Sequence, residues 1–238
     1  MDKRILGIGV FCLVLGLVSE GSLLTRLVKR GLTKALTEQA QVAEGLDLRL
    51  APLHLGQLMR GEVGELTFSA DRLGFAEGPV FTDLNLKSKG LRFDPGALLW
   101  QGQLVIDELK ETVLLLQLPE AELTTMVRRT HPEFEPTVYL EEERVELEGF
   151  LELFGQGRLP FSASAKLEKA SDRSLRLAPL GLKVAGVPVW ASLFNKYAQE
   201  IDWEFPLEIP WPVRLERFEV LPGVISMEWR EVREEANE

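Results

Sequence analysis

Few side chains in this sequence have the types and the spacing that catalysis requires. The two histidines are His54, in the apolar stretch APLHLGQL, and His131, which precedes Pro132 in a turn-like segment. The sequence contains no HExxH zinc motif, no GxSxG nucleophile elbow and no glycine-rich phosphate loop. A Ser-His-Asp arrangement stays open, because its members need not be adjacent in sequence. A hydrolase of that kind would need His54 or His131 beside a serine or an acid in a cleft.

Candidate metal ligands are equally sparse. The acid cluster Glu141-Glu142-Glu143 is the nearest approach to a cation site, but consecutive residues on a strand or turn point in different directions. A solvated hairpin tip is therefore the favoured interpretation. The single cysteine, Cys12, excludes disulfide scaffolds and thiolate-based zinc or iron–sulfur centres. We predict no catalytic residue, no metal site and no cofactor, and we expect that the protein is not an enzyme.

The composition is that of a folded, leucine-rich and acidic chain. Its 238 residues include 43 leucines, and 45% of the residues are hydrophobic, which excludes a wholly disordered protein. The 37 acids outnumber the 27 bases, so the net charge is −10. This charge argues against nucleic acid as a partner, because phosphate binding requires clustered lysine and arginine. The mean hydropathy of +0.01 is high for a soluble protein.

The first residues have the form of an export signal. Lys3 and Arg4 precede an uncharged apolar run over residues 5–18, ILGIGVFCLVLGLV. As a helix this run would reach about 21 Å, short of the ~30 Å hydrocarbon core of a bilayer. The best substitute for a cleavage site is Ser19-Glu20-Gly21. We predict that residues 1–21 are a signal peptide or an uncleaved anchor in the cytoplasmic membrane, with the rest of the chain on the periplasmic, extracytoplasmic side.

Residues 22–43 are predicted to form an amphipathic helix. Its apolar residues recur at three- and four-residue steps: Leu24, Leu27, Val28, Ala35, Leu36, Ala40 and Ala43. Four bases share the polar side: Arg26, Lys29, Arg30 and Lys34. Two interpretations stay open, an ordinary helix docked on a sheet or a helix beside the bilayer whose bases contact anionic head groups. Counted alone, these bases would also favour the opposite orientation of the N-terminal run.

From Gly45 onward the sequence alternates with period two. Apolar and polar residues take turns in segments such as LDLRL, LNLK, VELE and VRLE. Strict alternation indicates antiparallel strands with one dry face and one wet face. The phase reverses near Arg217 and Phe218, which predicts a bulge. Short helices are predicted over residues 119–129 and 188–201, and the charged tail over residues 230–238 is expected to be flexible.

Together these elements predict one α+β domain over residues 22–229, behind the hydrophobic N-terminal helix. A strongly curved antiparallel sheet would wrap on a few amphipathic helices, because a sheet with one dry face must have that face covered. Curvature of this kind would leave an apolar groove, the usual form of a ligand site. A solid core without a cavity is the alternative.

Several blocks of this sequence resemble one known family. They are the basic helix, LMRGEVGELTFSADRLGF, LNLKSKGLRFDPGALLWQGQLVI, LPEAELTTMV, and the late block LRLAPLGLKVAGVPVWASLFNKYAQEIDWEFPLEIPWPVRLERFEV. In order and spacing they resemble the LmeA-like phospholipid-binding family of bacterial envelope proteins over about residues 22–229. The sequence departs from the family at LPEAEL, where members often read LTEADL. Pro119 therefore stands where members often have a threonine, and the threonine hydroxyl is missing.

The resemblance implies an exported, membrane-associated, β-rich protein that binds phospholipid and supports envelope lipid metabolism or transfer. It also implies a fold similar to tubular lipid-binding domains. The family offers no catalytic motif to carry over. Phospholipid and a membrane are therefore the expected partners; nucleic acid is not, and protein partners are unknown.

Two apolar groups are candidate lipid contacts. The first is one face of the helix predicted over residues 188–201, with Trp190, Leu193, Phe194 and Tyr197. The second follows the turn FDPG, with Leu98, Leu99 and Trp100. Tryptophan and tyrosine favour membrane interfaces, but the same residues also suit plain packing on the sheet. Two functions stay open: a non-enzymatic phospholipid-binding envelope protein, or an anchored structural and interaction domain with a filled core.

Overall fold

The structure, a computed structural model, describes residues 21–52, 54–75, 78–97, 105–152, 157–189 and 204–232. The helices are α1 (Gly21–Gln39), α2 (Leu55–Met59) and α3 (Glu120–Thr130), with a 3₁₀ turn at Pro132–Phe134. The strands are β1 (Ala40–Glu44), β2 (Asp47–Leu50), β3 (Glu62–Phe75), β4 (Val80–Phe93), β5 (Ile106–Leu109), β6 (Val113–Pro119), β7 (Thr137–Glu141), β8 (Arg144–Glu152), β9 (Arg158–Ser171), β10 (Ser174–Val184), β11 (Val187–Pro188), β12 (Glu204–Pro206), β13 (Val213–Leu221) and β14 (Val224–Glu231).

These strands form two antiparallel sheets. In the first sheet the order is β1-β3-β4-β6-β14-β13, with β2 also paired to β3 and β5 to β4. In the second sheet the order is β11-β10-β9-β8-β7, with β12 also paired to β10. The antiparallel, mostly β architecture predicted from the alternation is confirmed, and it is not closed into a barrel. The division into two sheets was not predicted. The alternation of apolar and polar residues indicates which face of a strand is dry, but it does not indicate which strands pair.

Turns of the second sheet join it to the first. Gly223 N–H donates to the Leu140 carbonyl at 3.1 Å, beside the turn between β7 and β8. At the turn between β9 and β10, the Asp172 carbonyl accepts from Leu215 N–H of β13 at 2.8 Å. The Arg173 carbonyl accepts from Leu207 N–H, in the segment that leads from β12 to β13, at 2.8 Å. The acid run Glu141-Glu142-Glu143 lies at the β7–β8 turn, as predicted.

Helix α1 ends at Gln39, four residues before the predicted boundary. Ala40 to Glu44 leave the helix because they pair with β3 as strand β1. Helix α3 has the charges that its dipole favours, with Glu120 and Glu122 in the first turn and Arg128 and Arg129 in the last. Pro119 precedes it without a side-chain capping bond, as expected where a hydroxyl is missing.

Two residues with positive φ interrupt the alternation of strand β4. Asp83 has φ +50° and Gly90 has φ +103°, and the inward parity reverses at each, although the pairing with β3 keeps one register. The buried positions are therefore Phe81 before Asp83, Leu84 to Ser88 on even numbers between the two residues, and Leu91 after Gly90. On β13 the register shifts between Leu215 and Arg217, which confirms the predicted phase change.

Other predicted segments lie outside the described residues. These are the apolar run over residues 5–18, most of the helix predicted over residues 188–201, and most of the charged tail. Strand β11 covers the first of the residues predicted as that helix. Among the described residues, no helix is long and apolar enough to cross a membrane.

Candidate functional site

Six apolar side chains form one row across the dry face of the first sheet. Strand pairing places the members of the row directly opposite one another: Leu48, Phe68, Leu86, Leu114, Trp229 and Leu215. None is more than 5% exposed. With strands about 4.8 Å apart, the row runs for about 24 Å, which exceeds the ~15 Å depth of one leaflet of a ~30 Å bilayer core. The inner face is thus a continuous apolar surface on the scale of an acyl chain.

Helix α1 covers the β2 end of this surface. Val28 and Leu32, one helical turn apart, are buried to 1% and 2% exposure within the same core as the sheet. Burying two such side chains contributes about 3–6 kcal/mol. Lys29 Nζ lies 3.7 Å from Asp47 Oδ1, with both side chains about half exposed, and such a pair contributes at most ~1 kcal/mol. Among the described side chains of α1, these two apolar residues therefore contribute more to its docking than the ion pair does.

A small apolar cavity lies between α1 and the sheet. Its volume is about 20 Å³. The lining is wholly apolar: Leu32, Leu48, Leu66, Phe68, Leu86, Leu91, Ile106, Leu109 and Trp211. A cavity of this size holds one water at most, and an apolar cavity stays dry. Ligand pockets usually measure ~300–1,000 Å³, so no acyl chain fits at this place while α1 is docked.

Trp211 forms one wall of the cavity and is fixed from two directions. Its ring meets Phe68 edge-on at 6.2 Å and Phe75 edge-on at 5.7 Å between centroids. Arg173, from the second sheet, donates to the Trp211 carbonyl at 2.9 Å and also to the Ile209 carbonyl. The stretch from Pro206 to Pro212, which contains three prolines, is thereby held against the dry face, and Trp211 becomes part of the core.

Trp229 carries a buried donor in the middle of the row. Its side chain is fully buried, and its Nε1–H has no acceptor among the described residues. A buried N–H without a partner costs about 1–3 kcal/mol. Among the described residues, the Trp229 Nε1–H is therefore an unsatisfied polar group on the dry face of the first sheet.

The four predicted basic residues of α1 are all exposed. Arg26, Lys29, Arg30 and Lys34 lie on the side of the helix away from Val28 and Leu32, since a residue advances by about 100°. Lys29 is the one whose side chain approaches Asp47. The polar face predicted from spacing is therefore present, and it points to solvent.

The predicted lipid contacts lie outside the described residues. This holds for both apolar groups: Leu98, Leu99 and Trp100, and Trp190, Leu193, Phe194 and Tyr197. The residues that instead line the cavity, above all Leu32 and Trp211, were not singled out from the sequence. The alternation around Leu48 and Leu86 was the available signal, but it did not indicate which helix would cover those strands.

The two histidines lie in different surroundings, with the His131 side chain 14% exposed and His54 exposed. His131 Nδ1 lies 3.4 Å from Glu133 Oε1, and its ring stacks on Phe134 with centroids 5.8 Å apart. His54 is exposed beside α2, and its backbone N–H donates to Gln57 Oε1 at 3.1 Å. Within the described part of the chain, no group of three or more His, Cys, Asp and Glu side chains is arranged to hold a metal ion.

The wet face of the first sheet carries an ion-pair network. Glu228 is 7% exposed and accepts from Arg230 at 2.9 Å and from Arg217 at 2.7 Å. The hydrogen bond from Arg230 lowers the pKa of Glu228, burial opposes this by raising it, and Arg217 lowers it further. In the second sheet, Lys169 donates to Asp172 at 2.8 Å and lowers the pKa of that carboxyl.

The fold and this interior define an antiparallel two-sheet protein whose long apolar face is covered at its β2 end by a basic helix. The sequence matches the family described as LmeA-like phospholipid-binding over residues 20–228, and the chain belongs to that family. The resemblance predicted over residues 22–229 is therefore confirmed. No curated protein and no solved structure matches the chain.

Proposed function

We propose that this protein is a non-enzymatic component of a bacterial envelope that binds phospholipid in its apolar interior and aids envelope lipid metabolism or transfer. Membership of the LmeA-like phospholipid-binding family over residues 20–228 is the observation that carries this proposal. The long apolar row on the first sheet supports it, because acyl chains require a continuous dry surface. A fold similar to tubular lipid-binding domains is part of the same proposal.

We further propose that the protein works at a membrane. The apolar run over residues 5–18 would serve as signal or anchor, with the remainder as one domain on the extracytoplasmic side. The exposed bases of α1 support contact with anionic head groups, since each base near such a surface contributes about 1 kcal/mol. Four bases would then contribute about 4 kcal/mol, similar to the 3–6 kcal/mol that docks Val28 and Leu32.

Lipid extraction tests the binding directly. The full chain would be purified in detergent, exchanged into a lipid-free amphipol, and examined by native mass spectrometry and by extraction with organic solvent. We expect phospholipid to remain bound, and to be taken up again from vesicles after delipidation. Protein that carries no phospholipid and takes up none from vesicles would rule out the proposed function.

A second candidate function is an anchored structural or interaction domain with a filled core. One observation favours it: the cavity beneath α1 measures about 20 Å³, far below an ordinary ligand pocket of ~300–1,000 Å³. Two results together would favour this function. The delipidated protein would take up no phospholipid from vesicles, and it would co-purify with one defined envelope protein.

A further inference from the structure

Helix α1 occupies the place on the first sheet where the apolar row begins. Leu32 lines the same cavity as Leu48 and Leu86, two members of that row. The cavity is therefore a gap between Leu32 and the sheet. The dry face of the sheet continues past the cavity as far as β13. If α1 left the sheet, the apolar walls of the gap on β2, β3 and β4 would be uncovered.

We propose that the face beneath α1 is an acyl-chain site, and that α1 is a removable cover that an anionic membrane surface draws away from it. This rests on the proposed function, which it deepens by naming the place of the chain and the condition for its entry. In the docked position Leu32 takes the place of acyl methylenes. In the displaced position an acyl chain lies against Leu48, Leu66 and Leu86.

The two faces of α1 explain why a membrane would compete with the sheet. Among the described side chains of α1, Val28 and Leu32 are the buried ones, and they pack in the same core as the sheet. The outward face presents Arg26, Arg30 and Lys34 to solvent, and Lys29 is only loosely paired with Asp47 at 3.7 Å. Anionic head groups attract that face, and a bilayer interface also accepts the apolar side chains that leave the sheet.

The extent of the site along the sheet follows from the strand register. Past the cavity, the next members of the row are Leu114 on β6 and Trp229 on β14, both fully buried and neither of them a wall of the cavity. The displacement of α1 would therefore uncover the cavity end of the row, where the acyl chain would lie against Leu48 and Leu86.

Photolabelling of the full chain tests the location. Vesicles would contain phosphatidylglycerol with a diazirine in the middle of one acyl chain, and labelled peptides would be identified by mass spectrometry. We expect labels on β2, β3 and β4, at peptides containing Leu48, Leu66 and Leu86. Labels confined to the second sheet would overturn this site while leaving phospholipid binding intact. No label above a competition control would overturn both proposals.

A tether on α1 tests the displacement. A Lys29→Cys/Asp47→Cys variant in a Cys12→Ser background would be joined by a short bismaleimide, because the native side chains approach to 3.7 Å. The matched control is the same variant capped with N-ethylmaleimide. We expect the tethered protein to lose most labelling of β2 to β4, while the capped protein keeps it. Equal labelling of the two would overturn the role of α1 as a cover.

Vesicle charge supplies a second readout without tethering. Labelling of β3 and β4 in the unmodified chain should rise with the phosphatidylglycerol fraction and fall with salt. An Arg26→Gln/Arg30→Gln variant should reduce this labelling by about thirtyfold at limiting vesicle concentration. Labelling that is the same in zwitterionic and anionic vesicles would overturn the membrane-driven step.

Discussion

Arg217 of β13 and Glu228 of β14 face each other across the first sheet, and Arg217 Nε donates to Glu228 Oε2 at 2.7 Å. Arg230 binds the other oxygen of the same carboxylate. The carboxylate therefore links the edge strand of the sheet to its neighbour. Because Glu228 is almost fully buried, its two partners decide whether it stays charged.

This pairing predicts an acid-sensitive contribution to stability. Arg230, and then Arg217, hold the pKa of Glu228 below its ordinary value of 4.5 in the folded protein. The contribution is present above pH 4.5, where the unfolded carboxyl is also ionised, and it is lost as pH falls toward the lowered folded pKa. Glu228→Gln should lower the free energy of unfolding at neutral pH and change it little at the acid end. Urea denaturation across this pH range measures both.

The control for this prediction is Glu219→Gln, on an exposed position of β13. That variant should keep the pH dependence of the parent chain. A Glu228→Gln variant whose stability follows the same pH curve as the parent would contradict the assignment.

The apolar row predicts a large loss of stability on substitution of Leu114 and a small one on substitution of its neighbour Leu115. Leu114 is fully buried on the dry face of β6, whereas Leu115 is 46% exposed on the wet face. Leu114→Ala should lower the free energy of unfolding by about 2–5 kcal/mol, because it leaves a cavity in a packed core. Leu115→Ala should change it by less than about 0.5 kcal/mol. Urea midpoints of the two variants give the comparison, and similar losses would show that the facing of β6 is wrong.

Gly61 predicts a backbone effect at the start of β3. Its φ is +67°, a Cβ atom there would lie 1.9 Å from the Phe93 carbonyl oxygen, and its own carbonyl accepts from Phe93 N–H at 2.9 Å. Gly61→Ala should therefore destabilise the protein by more than ~1 kcal/mol, since the end of β4 must move. Gly64→Ala is the control, because no described residue other than its two chain neighbours has a heavy atom within 4 Å of the position that a Cβ would take. Thermal unfolding that is equal for both variants would refute the close approach.

Thr124 predicts a local effect at the junction of α3 and β7. Its Oγ1 accepts from Val138 N–H at 3.0 Å, and Val138 is fully buried. Thr124→Val should leave that N–H without an acceptor at a cost of about 1–3 kcal/mol. Hydrogen exchange of the Val138 amide should accelerate. The adjacent Thr125→Val, whose hydroxyl bonds only within the helix to the Ala121 carbonyl, should leave that amide protected.

The basic face of α1 predicts a charge-dependent association with vesicles. Arg26→Gln/Arg30→Gln should weaken binding of the full chain to phosphatidylglycerol vesicles by about thirtyfold, because two charges near the surface contribute about 2 kcal/mol. Co-sedimentation at several salt concentrations measures the effect. An Arg92→Gln/Arg144→Gln variant removes the same charge from exposed positions elsewhere, and an equal loss there would point to net charge instead of this helix.

The sequence pattern predicted those elements whose formation depends on residues close together in sequence. The strands of the body, the phase change near Arg217 and the helix after Pro119 all follow from period and proline placement, and each is present. The end of α1 at Gln39 could not be read from spacing, because strand β1 exists only through its pairing with β3, distant in sequence. The same reason explains the two sheets, which depend on pairing choices that alternation does not encode.

The candidate site shows the same division. The exposed bases of α1 were predicted, since a helical polar face is a local property. The cavity beneath Leu32 was not, because its walls come from a helix, four strands and Trp211, and only the fold brings them together. In the sequence, Leu66 and Leu91 cannot be distinguished from other leucines of alternating strands. Only the fold shows that both line the same cavity as Leu32 and Trp211.

The positive φ values at Asp83 and Gly90 have a consequence for how the length of β4 can vary. Each residue adds one step between two inward positions, because Phe81 and Leu84 are three residues apart, as are Ser88 and Leu91. A deletion of Gly90 would therefore bring Ser88 and Leu91 to the ordinary two-residue spacing of a strand and keep both side chains inward. A deletion at a regular position between Leu84 and Ser88 would instead turn the inward residues of one end of the strand outward.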